Sequence, residues 1–70
     1  MEECIETFHV VTEDGQVLET FSGVCRSPYP YNCAVSGALM WAAERSQPVY
    51  ITDENGQRLA VCTDNSHTPL

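Results

Sequence analysis

Cys33 is the side chain with the clearest route to chemistry. It follows Asn32, a good N-cap, so the spacing predicts a thiol in the first turn of a helix, where the positive end of the dipole favours the thiolate. A cysteine nucleophile needs a base, and the chain offers His9 and His67. It also needs walls for an oxyanion site, and a chain of 70 residues buries only about 60% of its unfolded surface. The expectation is therefore that Cys33 is a small apolar group facing a sheet and that the protein is not an enzyme. A thiol-dependent catalyst centred on Cys33 is the alternative.

The remaining reactive groups offer less. Cys4 and Cys25 fall opposite each other if the first hairpin keeps its register, near the lower end of disulfide geometry, but without an export signal two reduced, packed thiols are the expected state and a bridge is the alternative. No CxxC occurs, and the cysteines and histidines are too far apart for a zinc ribbon or finger, so neither metal nor cofactor is expected. Glu13-Asp14 and Asp53-Glu54 lie in turn sequences, without the apolar walls that raise a carboxylic acid's pKa for general-acid work. The second pair also lacks the length of a calcium loop.

The elements that position these groups follow from two cassettes, Thr12-Glu13-Asp14-Gly15-Gln16-Val17-Leu18 and Thr52-Asp53-Glu54-Asn55-Gly56-Gln57-Arg58-Leu59, both read as tight hairpins. With Asp14-Gly15 as a two-residue turn, Glu13 opposes Gln16, and Phe8/Phe21, Val10/Glu19 and Thr12/Val17 share the core side in non-hydrogen-bonded pairs. Ile5/Val24, His9/Thr20 and Val11/Leu18 point the other way. Asn55-Gly56 likewise pairs Val49 with Cys62, Ile51 with Ala60 and Asp53 with Arg58, leaving Tyr50, Thr52, Leu59 and Val61 outside. Prolines at 28 and 30 predict a stiff aromatic loop, followed by a helix from Cys33 to Arg45 or Ser46 that Pro48 stops. Val35, Ala38, Leu39 and Ala42 form its buried stripe, and Gly37 leaves room for another backbone to approach. The expected fold is α+β: a two-layer ββαββ unit, an antiparallel sheet of two hairpins with one helix packed on one face. It occupies residues 1–64 as a single domain, and residues 65–70, polar and without pattern, form a flexible tail.

Ten carboxylates against three arginines and no lysine give a net charge of −7. That balance repels phosphate backbones and anionic lipid heads, so neither nucleic acid nor membrane is an expected partner. A basic protein, or a basic groove that normally holds nucleic acid, is the natural one. No apolar run approaches the roughly 20 residues of a membrane span. The start Met1-Glu2-Glu3-Cys4 lacks the basic and apolar regions of a signal peptide, so a cytoplasmic protein is expected. The expected partner-binding residues are the acidic tips Glu13, Asp14, Asp53 and Glu54, the aromatic loop residues Tyr29 and Tyr31, and the helix flank Met40 and Trp41. That flank could equally join two copies in a homodimer.

In the order Phe8-His9-Val10-Val11-Thr12-Glu13-Asp14-Gly15, then Ala34 to Glu44, then Pro48-Val49-Tyr50-Ile51, the chain resembles small phage-encoded anti-CRISPR proteins of type I systems. Those are short, often acidic, and built from hairpins around one helix. The resemblance is one of organisation over residues 8 to 62 and includes no diagnostic motif. It implies a phage- or bacterium-encoded protein that inhibits a nuclease complex by occupying its nucleic-acid-binding surface. No residue role carries over.

Overall fold

Two glycines set the frame. In the computed structural model, which describes residues 4–70, Gly15 and Gly56 have φ of 94° and 88°, a region open to glycine at no steric cost. The acidic start at residues 1–3 lies outside the described residues. The Gly15 N–H donates to the Thr12 carbonyl at 3.0 Å and the Thr12 N–H to the Gln16 carbonyl at 2.9 Å. Gly56, Asp53 and Gln57 repeat that pattern at 3.1 and 3.0 Å. Each tip is thus a three-residue loop ending in a left-handed glycine, not the two-residue turn expected.

A compensating irregularity follows at once. Val11 opposes Val17 while Val10 opposes Glu19, so Leu18 is an extra residue in its strand. In the same way Thr52 opposes Arg58 while Ile51 opposes Ala60, leaving Leu59 extra. Beyond these bulges the ladders take the expected register, Phe8 on Phe21 and Val49 on Cys62. One inserted residue also flips the side chains between bulge and tip to the other face. Leu18 therefore packs on the core while Val17 is exposed, and Arg58, expected opposite Asp53, crosses to the open face and stacks 4.0 Å over the Tyr50 ring.

The elements in order are β1 (Ile5–Val11), β2 (Val17–Val24), α1 (Tyr29–Arg45), β3 (Val49–Thr52), β4 (Arg58–Cys62) and β5 (His67–Pro69). The fold is α+β, one helix on an antiparallel sheet of order β2-β1-β3-β4-β5. Residues 65–70, expected as a tail, instead contribute β5: His67, Thr68 and Pro69 pair with Cys62, Val61 and Ala60, and the Leu70 N–H donates to the Leu59 carbonyl at 3.0 Å. Because β1 and β3 run antiparallel, the two hairpin tips project from opposite ends of the sheet.

The helix starts four residues before the expected Cys33, at Tyr29, with Pro30 inside its first turn. Proline is tolerated there because its missing N–H has no intrahelical partner to lose. Ser27 Oγ accepts from the Tyr29 N–H at 3.2 Å, and the Asn32 N–H makes the first helical bond to the Pro28 carbonyl at 3.0 Å. Ser46 ends the helix in the left-handed region at φ 55°. Its buried seam is Ala34, Ala38 and Ala42 with Gly37, while Val35 and Leu39, expected at its centre, are half-buried flanks. Small residues on the seam let the helix lie close to Val10, Val49, Ile51, Ala60 and Cys62, all fully buried.

Cys4 and Cys25, expected as two packed thiols, instead form a disulfide at a Cα separation of 5.2 Å, tying the start of β1 to the end of β2. The Cys25 N–H donates to the Cys4 carbonyl at 2.8 Å, so theirs is a hydrogen-bonded pair rather than the non-hydrogen-bonded one expected.

Candidate functional site

Helix and edge strand meet at two glycines. A methyl group at Gly37 would stand 2.6 Å from Cζ of Phe21, and one at Gly23 would stand 3.2 Å from the Pro30 ring. The space expected at Gly37 for another backbone is thus filled by the Phe21 side chain. Outside that line of contact lies an open groove of about 490 Å³, with Phe21 and Gly37 in its lining beside Cys33, Tyr29, Met40 and Glu19. Tyr29 is 73% exposed and Met40 63%, so apolar surface of the helix stands open to solvent here.

The expected partner-binding residues divide among several places. Tyr29 and Met40 share the groove. Trp41, next to Met40 in sequence, is half-buried against the core, and its Nε1 donates to Glu19 Oε1 at 2.8 Å. Tyr31 packs edge-on against Phe8 with ring centroids 5.4 Å apart, and its hydroxyl hydrogen-bonds His67 Nε2 at 2.9 Å. Desolvation, with a smaller contribution from neighbouring Cys62, raises the pKa of that hydroxyl. Burial pushes the Cys62 thiol up as well.

The acidic tips leave opposite ends of the β1–β3 pair, yet Gly15 of one and Glu54, Asn55 and Gly56 of the other line a single pocket between them. Glu13 and Asp14 lie near Arg45 and Gln47 at the end of the helix, and Asp53 and Glu54 lie near the Cys4–Cys25 bridge. The Thr12 hydroxyl donates to Asp14 Oδ1 and accepts from the Gln16 N–H at 3.0 Å. The bond from Thr12 is the main reason that the Asp14 carboxyl sits below its ordinary pKa. In the second tip Asp53 Oδ1 itself accepts from the Asn55 and Gln57 N–H groups, both at 2.9 Å. Arg58 reaches across the open face to donate to the Glu13 carbonyl at 2.5 Å.

Cys33 is half-buried in the groove lining and, because the helix starts at Tyr29, lies beyond its first turn. Neither histidine joins it. His9 Nδ1 hydrogen-bonds Thr20 Oγ1 at 2.9 Å on the face away from the helix, and His67 sits on β5, at the opposite edge from β2. Among the described residues no three His, Cys, Asp or Glu side chains cluster as metal ligands, and no helix is long and apolar enough to cross a membrane.

Two features of this region escape sequence reasoning, the groove residues Glu19 and Phe21 and the open edge of β2. Both depend on β2 lying outermost in the sheet. No sequence sign marks β2 as the edge, since the chain has no lysine anywhere and β1, β3 and β4 lack proline as well.

Comparison with known proteins finds no matching family, no matching curated protein and no matching solved structure.

Proposed function

We propose that this chain is a small acidic binding protein, without catalytic activity, that occupies a basic, nucleic-acid-binding surface of a partner. An inhibitor of a CRISPR nuclease complex, phage- or bacterium-encoded and acting in the cytoplasm, is the form this takes. The observation that carries the reading is the placement of charge. Carboxylates stand at both ends of the sheet in a chain of net charge −7 that has no lysine. One of the three arginines, Arg58, is folded back over Tyr50. A basic groove is attracted to such a molecule from either end, and a nucleic acid is repelled. In a reducing cytoplasm the Cys4–Cys25 bridge would be open to reduction, with the backbone bond between the two residues still joining the strands.

The test is competition with DNA on a type I CRISPR surveillance complex from about 50 to about 500 mM salt. The protein should displace DNA, less so as salt rises. The combined variant Glu13→Gln, Asp14→Asn, Asp53→Asn, Glu54→Gln should lose about tenfold in affinity, several exposed charges each contributing a little. No displacement, or an affinity indifferent to salt and to the four amides, would remove the proposal.

A further inference from the structure

β2 is eight residues long and has one neighbour, β1, so its outer edge is open. The direction of its backbone groups follows from the Cys25 N–H, which points inward to Cys4. Alternation along the regular ladder from Val24 back to Glu19 turns Phe21 and Gly23 toward β1 and presents Thr20, Ser22 and Val24 outward. Of these outward groups, the Val24 carbonyl accepts from the Ser27 N–H at 3.3 Å, and the rest have no partner among the described residues. The groove beside α1 runs along this same edge, with Phe21 and Glu19, two residues apart on one face of the strand, both in its lining.

A chain laid against β2 would therefore hydrogen-bond the edge while its alternate side chains entered the groove. The sign of its charge follows from the lining. Glu19 is the only ionised side chain there, none of the three arginines lines the groove, and Trp41 engages just one of the two Glu19 oxygens. A second copy of this chain would bring another −7 to the edge, which a cationic segment would not.

We propose that the β2 edge and its groove bind an extended, cationic segment of a partner protein by strand addition. One apolar side chain of the segment covers Phe21 between Tyr29 and Met40, and an arginine or lysine two positions away meets Glu19. This takes from the function proposed above only the positive charge of the partner, and it uses residues distinct from the acidic tips.

The test titrates the isotope-labelled full chain with a nine-residue threonine-rich peptide carrying a leucine and, two positions on, an arginine. Amide exchange at Thr20, Ser22 and Val24 should slow by about tenfold or more on saturation. Methylating the peptide nitrogens that face β2, or replacing the peptide arginine with glutamate, should each weaken binding about tenfold. Glu19→Gln, which keeps an acceptor for Trp41, should narrow the preference for arginine over glutamate to about threefold or less. The four-amide tip variant should bind the peptide within about twofold of the parent, so the tips and the edge stand or fall separately. Indifference to nitrogen methylation or to Glu19→Gln would overturn the proposal. So would protection of the three amides that appears without peptide and grows with protein concentration, since a second copy would then hold the edge.

Discussion

β5 and β2 both end the sheet, but β5 is three residues long and carries Pro69, whereas β2 runs for eight residues without proline. Short edges and prolines are the usual means of stopping a sheet from pairing with a foreign strand. β5 has both and β2 has neither. On the strand-addition proposal the long edge is instead guarded by charge: a net −7 would repel a second copy of the chain and leave the strand open to a cationic one. The difference teaches that one sheet can close one side by strand length and proline and leave the other open, with its selectivity, on that proposal, left to electrostatics.

The largest effect on this contrast should come from the bridge that anchors β2. Cys4→Ser with Cys25→Ser frees a link across 21 positions and should cost about 3 kcal/mol in urea unfolding. Exchange at the Gly23 and Cys25 amides should then quicken while that in β5 keeps its rank. Equal loosening of both edges would show that the bridge steadies the whole sheet and not β2.

Thr12→Val loosens β2 from its other end. Losing the bond to the Gln16 N–H should cost about 1 kcal/mol, seen as a lower urea midpoint. The same substitution removes the bond that depresses the Asp14 pKa. A depressed carboxylate stabilises the fold above its unfolded pKa, and that contribution is lost as pH falls through the folded value. The stability gap between parent and variant should therefore narrow on acidification through the carboxylate range, and carboxyl NMR should find the Asp14 pKa raised in the variant. A gap that widens toward low pH would contradict the assignment.

Tyr31→Phe acts on the other edge, since the Tyr31 hydroxyl is tied to His67 at the start of β5. A loss of about 1 kcal/mol or less is expected, with faster exchange at Thr68 and Leu70 and none of the change at β2. A shift of exchange at Phe21 or Gly23 instead would mean that the two edges are coupled through the helix.

Much of this frame was legible in the sequence because it is local. Gly15 and Gly56 announce their turns, and the registers of both hairpins beyond the bulges followed from them, although the turn type was mistaken: the longer loops and the extra residues Leu18 and Leu59 cancel. Pro28 and Pro30 read as breakers, yet a proline in a first turn costs no hydrogen bond, so the helix begins at Tyr29. His67 to Pro69 looked like tail because a three-residue strand has no period to detect. Of the groove, Tyr29 was legible as an aromatic of the proline-flanked loop and Met40 as apolar surface beyond the buried stripe. Glu19, Phe21 and the open edge were not, because strand order is settled by long-range pairing of β1 with β3.

Amide hydrogen exchange on the free protein, residue by residue along β2, tests the open edge most directly. Thr20, Ser22 and Val24 should exchange close to the rate of an unstructured chain, while Phe21, Gly23 and Cys25, bonded to β1, should exchange slowly and track global unfolding. Slow exchange at all six, whether or not it fades on dilution, would mean that the edge is already covered and would contradict the account.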